Sequence, residues 1–382
     1  MSDFDAAVRA GASLVVSAPG RVNLIGEHTD YNGGAALPFA IDRRTTLHLR
    51  ARPDRRIRVR STFSASIVES SLDAVLGDEP LSGWSAYLLG VARVFGSVAD
   101  LSSVHGFDAL VTSNIPVGVG VSSSHALECA TAVGLSALWS LKFSRSSLIA
   151  LTQRVEHEVV GSPTGTMDQS AILLGQADHA VRLDFSASGA APELVPLGFE
   201  RAGLELLVMD STERHDHATG GYGRRRAECE EAARLLEVPL LGSLSLAELE
   251  AKRELLPEVL YRRARHIVSD TERVAQIAAL LTSGRAEEIG PLLTEGHASE
   301  RDDFEISTPA LDAAVAAAVS AGALGARLTG GGFGGAAIAL VHTADAAAVA
   351  AEVRSAVVAA GHPEPTIFPV KADAGVRLDP DS

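Results

Sequence analysis

Three separated stretches carry the side chains with which this chain can do chemistry. In NIPVGVGVSSSHALE (114–128) a strand-like run opens through glycines into a helix. That arrangement aims several backbone N–H groups and the positive end of a helix dipole at one point, a ready site for an anion. Ser122, Ser123 and Ser124 can cap the helix, and any of them can also lend an oxygen to a magnesium ion. A capped turn with no ligand is the plainer reading of the same residues. The stretch is not a Walker loop, since no GKS or GKT is present, and the HRD of protein kinases is missing too.

The second stretch, APGRVNLIGEHTDYNGG (18–34), gathers Arg21, Glu27, His28 and Asp30 into one loop at the edge of the structure. Carboxylates beside an imidazole suit a sugar, whose vicinal hydroxyls need paired acceptors and donors. A solvated polar loop is the competing reading, and a metal site a weaker one. The third, SPTGTMDQSAILLG (162–175), sets Asp168 near Gly165 ahead of an apolar run, where a carboxylate serves as a general base or as a helix cap. LTGGGFGGAAIAL (328–340) contains GxGxxG at Gly330, Gly332 and Gly335. A dinucleotide fingerprint should open a helix, whereas AAIALV reads as a strand, so a tight turn that brings backbone close to a ligand or another loop fits better. Tyr222 precedes Arg224, Arg225 and Arg226, a run that reads as a solvated face.

The elements that must position these residues follow from pattern. Leu14 to Ser17 is β-like and turns at Pro19-Gly20; the end of ALPFAIDRRTTLHLRAR and the run 55–62 alternate as strands do. Residues 83–97 have helical spacing, 107–116 are strand-like, and HALECATAVGLSALWSL is helical. LTQRVEHEVV reads as an acidic helix. Residues 186–200 loosen, which places the domain junction there and gives an N-terminal domain of 1–195 and a C-terminal one of 196–382. Beyond it come a buried strand (LELLVMDS), two long helical regions through 224–299, then helix 310–322, strand 336–342, helix 345–360 and a terminal strand. The whole is a mixed α/β or α+β pattern.

Bulk properties set the outer limits. A chain of 382 residues is long for one core, so two domains are expected. With a net charge of −15 it has no general attraction for nucleic acid or an anionic membrane, and any phosphate must be met by local donors. Two cysteines, Cys129 and Cys229, indicate no disulfide framework and fit a reducing compartment, here the cytoplasm. No secretory leader is legible at the start, and the Ala-rich stretch 311–328 is too polar for a membrane span.

Taken in order, the motifs resemble the galactokinase family of the GHMP small-molecule kinases. GRVNLIGEHTDYNGG (20–34) resembles that family's signature, PVGVGVSSSHALE its phosphate-binding PxGxGLSSSAA, GTMDQ its GxMDQ, and LTGGGFGG the third superfamily motif. The resemblance runs from about residue 15 to the end. It implies an α+β, two-domain GHMP kinase fold, with an N-terminal ribosomal S5-like domain, a C-terminal ferredoxin-like domain and the site in the cleft between them. The implied reaction is ATP-dependent phosphorylation of the anomeric C1 hydroxyl of α-D-galactose, the first phosphorylation step of the Leloir pathway, by a monomer or a homodimer.

By residue, the resemblance makes Arg21 and Asp168 the catalytic pair, with Arg21 stabilising the transferred phosphoryl group and Asp168 accepting or orienting the hydroxyl proton. It gives the galactose hydroxyls to Glu27, His28, Asp30, Asp168 and Tyr222 with the backbone of Gly165. ATP falls to Gly118, Gly120, Ser122, Ser123 and Ser124, with Trp84 and Tyr87 lining the adenine pocket, and Mg2+ to Ser124 and Glu156. Departures are Val119, Val121, Ala336, Thr164, Thr166 and His125, which stands where the family has Ala; as a cation it would add a phosphate contact, and as a neutral side chain, the preferred expectation, it points to solvent. Three rivals are a galactose-sensing relative without turnover, a nicotinamide oxidoreductase resting on 330–335, and the same chemistry on another sugar.

Overall fold

The strand that carries Arg21 is longer than its apolar start suggests. In the computed structural model, which describes residues 2–379 apart from 65, 163, 187–189 and 214–217, it runs Leu14–Asn23 without a turn at Pro19-Gly20. The register against Pro38–Ala51 shifts between Pro19 and Arg21, so the proline's missing N–H falls where the ladder is already interrupted. Gly20 is needed there because a Cβ would lie 2.6 Å from the carbonyl of Val121, where the glycine-serine turn crosses the strand.

Six strands form the first sheet, ordered Arg377–Asp379, Leu14–Asn23, Pro38–Ala51, Phe107–Ser113, Arg56–Ser61 and Val68–Ser71. Along Pro38–Ala51 the alternation seen in sequence turns Leu47 and Leu49 into the core. Helices Ser85–Gly96 and Ser123–Leu138 pack together, and the latter lies on the first two long strands. The edge strand Arg377–Asp379 returns from the far end of the sequence, and Arg44 pins that return by donating to the carbonyls of Ala374 and Gly375 and to Asp373. A small sheet joins Ala35–Ala36, His179–Asp184 and Glu193–Pro196.

The second large sheet is antiparallel and orders Gly325–Thr329, Ala336–His342, Leu204–Asp210 and Thr366–Val370. Helices fall between its first and second strands in chain order and between its third and fourth, the βαββαβ arrangement of a ferredoxin-like domain. Gly325–Thr329 lies in a stretch that sequence pattern assigns to the end of a helix. It is five residues, wholly buried, and has no β-branched residue before Thr329, so neither alternation nor propensity marks it. The expected long helical regions are helices Ala218–Leu235, Leu246–Ala251, Glu258–Thr282 and Gly290–Asp302. Of the loosened segment read as the domain junction, 187–189 lie outside the described residues. Among the described residues no helix is long and apolar enough to cross a membrane, and both cysteines are free and buried.

Candidate active site

Asp168 is the second residue of helix Met167–Leu174, not its cap; the capping position is Thr166. Arg21 grips it with a two-pronged fork, Nε to Oδ1 at 2.7 Å and Nη2 to Oδ2 at 2.8 Å, while Nη1 donates to the carbonyl of Gly120 at 2.5 Å. Ser122 sits at the start of helix Ser123–Leu138 in the left-handed region (φ 61°), and its hydroxyl makes no cap bond. It donates instead to Asp168 Oδ2 at 2.5 Å. Burial works against ionisation of Asp168, but Arg21, His125 and the bond from Ser122 hold its pKa below the usual carboxylate range.

One face of this pair borders a polar cavity of about 210 Å³ lined by Arg21, Glu27, His28, Asp30, His125, Gly165, Asp168, Tyr222, Gly330 and Gly331 among others. That is below the roughly 300–1,000 Å³ of sites for drug-sized ligands and suits one small polar molecule. Every residue expected to hold the sugar lines it. Burial lowers the pKa of His28 to about 3, so its ring is neutral. Its Nε2 stands 3.1 Å from the carbonyl of Gly331 and must carry the proton, which leaves Nδ1 to accept from Tyr31 at 2.7 Å. Tyr222 stacks on the same ring with centroids 4.7 Å apart. Burial and the charge of Asp168 push Asp30 up to about 6. Gly165 lies so close that a Cβ would stand 1.8 Å from Asp30 Oδ2.

The loop of 24–29 is buried rather than solvated, with Asp30 half-buried, and a residue that sequence reasoning missed explains why. Arg327 is fully buried in the strand Gly325–Thr329 and pairs with Glu27, with Glu300 at 2.6 Å and with Asp270 at 3.7 Å, while donating to the carbonyl of Leu24 at 3.1 Å. Burial pushes Glu27 up to about 8, against the pull of Arg327 and with Glu300 and Asp270 adding to the push. Gly330 N–H donates to Glu27 Oε1, so the glycine turn does bring backbone onto another loop. The signal in sequence was a lone arginine inside an otherwise apolar run.

The other face of the pair leads past the glycine-serine turn to a cavity of about 440 Å³ lined by Trp84, Tyr87, Phe63, Gly118, Ser123, Ser124 and Leu127 among others. Gly118, Ser123, Ser124 and Trp84 thus face this second cavity, whereas Gly120 and Ser122 bind the Arg21–Asp168 pair. Glu156 comes from a wide π-helical turn, Val155–Val160, which carries it inward to burial. Burial raises its pKa and that of Glu128 beside it.

Two expectations are corrected. His125 does not face solvent: it is buried, with Nδ1 3.2 Å from Asp168 Oδ2 and Nε2 3.3 Å from Glu156 Oε1, because the first turn of its helix points at both carboxylates. Arg225 is not on a solvated face. Three residues after Tyr222, on the same side of the helix, it is buried and donates to the carbonyls of Phe304 and Glu305.

Residues 2–51 match the galactokinase galactose-binding signature, residues 86–176 the GHMP kinase N-terminal domain and residues 277–359 the GHMP kinase C-terminal domain. The chain is 42% identical over 367 residues to a galactokinase of Streptomyces coelicolor, spanning 95% of this chain and 93% of that one. The chain belongs to the galactokinase family of GHMP kinases. A galactokinase of Bos taurus is 40% identical over 344 residues, covering 88% of this chain and 86% of its own. The crystal structure of Lactococcus lactis galactokinase complexed with galactose superposes with a TM-score of 0.91 at 31% identity, covering 98% of this chain and 100% of that one. The chain is therefore a phosphotransferase with the two-domain GHMP fold.

Proposed function

We propose that the two cavities are the sugar and nucleotide sites of one phosphoryl-transfer centre that meets at Arg21 and Asp168. The reaction of this galactokinase-family chain is ATP plus α-D-galactose giving ADP and α-D-galactose 1-phosphate. The observation that carries the assignment of residues is the Arg21 fork on Asp168, set between a polar cavity of about 210 Å³ and the glycine-serine turn.

Asp168 offers about four acceptor positions on its two oxygens. Arg21 takes one on each and Ser122 the second on Oδ2, which leaves one on Oδ1 for the C1 hydroxyl of the sugar. A carboxylate with a lowered pKa is a weak base, so its task is to align that hydroxyl, and the proton leaves late. This suffices because the transition state of phosphoryl transfer is loose and asks mainly for positioning and charge. Arg21 spends three of its five N–H donors on Asp168 and Gly120. The other two are free to meet oxygens of the moving phosphoryl group. Glu27, His28, Asp30 and Tyr222, with the backbone of Gly165, hold the remaining sugar hydroxyls. Gly118, Gly120, Ser122, Ser123 and Ser124 form the phosphate turn, and Trp84 with Tyr87 faces the adenine.

Ser124 and Glu156 would hold Mg2+, which when bound offsets phosphate charge. Hydroxyl and carboxylate oxygens suit so hard a cation, and the buried carboxyl of Glu128 stands beside Glu156. A cytoplasmic setting fits the two buried thiols. The test is ADP release from ATP by the purified protein across a panel of free sugars, with and without magnesium. Magnesium-dependent release with galactose, and little with glucose or N-acetylgalactosamine, supports the reading; no release with any sugar would sink it.

A further inference from the structure

His125 is where this chain leaves the alanine that the family resemblance places after the serines, and its surroundings are those of a metal ligand. One nitrogen of His125 and one oxygen each of Glu128 and Glu156 lie within 4.8 Å of one another, and all three residues are buried. His125 and Glu128 are three residues apart on one face of helix Ser123–Leu138, and Glu156 enters from the π-helical turn opposite.

Two observations separate this group from an ordinary acidic cluster. Glu128 is fully buried with its carboxyl turned to that of Glu156, acid against acid. His125 Nε2 is buried with no hydrogen-bond partner among the described residues, although Glu156 Oε1 is only 3.3 Å away. Buried polar groups are almost always paired, and two adjacent buried carboxyls need either a shared proton or a cation between them. The 3.3 Å spacing is the edge of a tetrahedron drawn around a dication with bonds of about 2.0–2.1 Å, which is roughly 3.4 Å. The far nitrogen, Nδ1, stands 3.2 Å from Asp168 Oδ2 and 3.4 Å from the hydroxyl of Ser124, its hydrogen-bond partner. A hydrogen bond behind the imidazole is the usual support of a ligating histidine, since it fixes the tautomer and leaves the other nitrogen for the metal.

We propose that His125, Glu128 and Glu156 form a binding site for an imidazole-preferring divalent cation of the zinc class, held by the protein alone and in preference to magnesium. Imidazole favours such ions over magnesium, which prefers oxygen and keeps its waters. Three protein ligands leave an open position, as in zinc sites that also meet a substrate. The site shares Glu156 with the magnesium position proposed above but does not depend on the sugar-kinase reading, because it needs neither sugar nor nucleotide.

The test is titration of the metal-free full-length protein with Zn2+ and, separately, with Mg2+ by calorimetry, with Co2+ absorption as a spectroscopic probe, all without ATP or galactose. One Zn2+ per chain, bound at least about a hundredfold more tightly than Mg2+, together with a visible Co2+ band, is the expected result. His125→Ala and Glu128→Gln should each weaken Zn2+ binding at least about tenfold and bleach the band. Thermal melts of the metal-free variants establish that they are folded; if one is not, the other decides. Equal, weak binding of Zn2+ and Mg2+, or Zn2+ binding unchanged in a folded variant, overturns the proposal. Neither result touches the turnover assay above.

Discussion

Arg327→Met should be costly out of proportion to its distance from any reacting atom. The guanidinium is buried among the carboxylates of Glu27, Asp270 and Glu300, with Arg273, 3.1 Å from Asp270, and His297, 3.8 Å from Glu300, as the other basic groups beside them. Removing one partner of a buried ion pair typically costs about 3–5 kcal/mol, because the charges left behind have no compensation. Unfolding entropy near the transition is about 2.1 cal/mol/K per residue, or roughly 0.8 kcal/mol/K for a chain of this length, so the melting temperature should fall by about 4–6 °C. Acidity supplies a second signature. Arg327 holds Asp270 below the usual carboxylate range against its burial, and losing Arg327 lets Asp270 rise. A carboxyl whose folded pKa is raised binds protons more tightly in the folded state, so its contribution to stability is present at low pH and fades as pH rises. The deficit of the variant should therefore be larger at pH 8 than at pH 5.5, and Glu300→Gln in the same background should recover part of it. Calorimetry at the two pH values is the assay. A loss below 1 °C, or a deficit greater at pH 5.5 than at pH 8, would refute the reasoning.

Other perturbations test the site itself. Asp168→Asn keeps the shape but loses the charge that Arg21 and Ser122 bind; turnover should drop by about 10²–10⁴ while equilibrium binding of galactose changes little, and full activity would remove Asp168 from the mechanism. Gly165→Ala forces Asp30 aside, so KM for galactose should rise at least about tenfold with a smaller change in kcat. Trp84→Ala should raise KM for ATP and leave that for galactose alone, because Trp84 borders only the larger cavity. Asp30, held near pKa 6 by burial and by Asp168, costs stability that grows as pH rises from about 4 to 6. Asp30→Asn should flatten that slope and raise the melting temperature at pH 8 while weakening sugar binding, and a melt at pH 8 no higher than the parent's would contradict this.

The site was legible in sequence wherever chemistry depends on residues close together along the chain. The loop 20–34 and the turn 114–128 each hold several candidate groups in one uninterrupted run, and the fold brings both to the walls of the two cavities. What pattern could not show is how the fold folds them inward. Glu27 looks solvated until Arg327, some three hundred residues away, is seen to neutralise it. His125 at the start of a helix looks free to meet solvent, but it is turned toward a carboxylate delivered by a π-helical turn that no periodicity announces. The strand Leu14–Asn23 was cut short because Pro19-Gly20 is a turn signal, and only the register shift against Pro38–Ala51 removes the conflict. Local rules failed at places where one segment is shaped by another distant in sequence, and most of those places border the site.

The return of Arg377–Asp379 to the strand beside it has a consequence for biosynthesis. Residues 14–23, with Arg21 among them, leave the ribosome roughly 350 residues (377 − 23 = 354) before their outer neighbour in the sheet is made. At about 5–20 residues per second the nascent strand waits roughly 20–70 s with an open edge. During that interval it is a template for pairing with another chain. Slowed elongation, or a nascent chain stalled before residue 377, should therefore be felt first as aggregation during synthesis, even when the finished protein is stable.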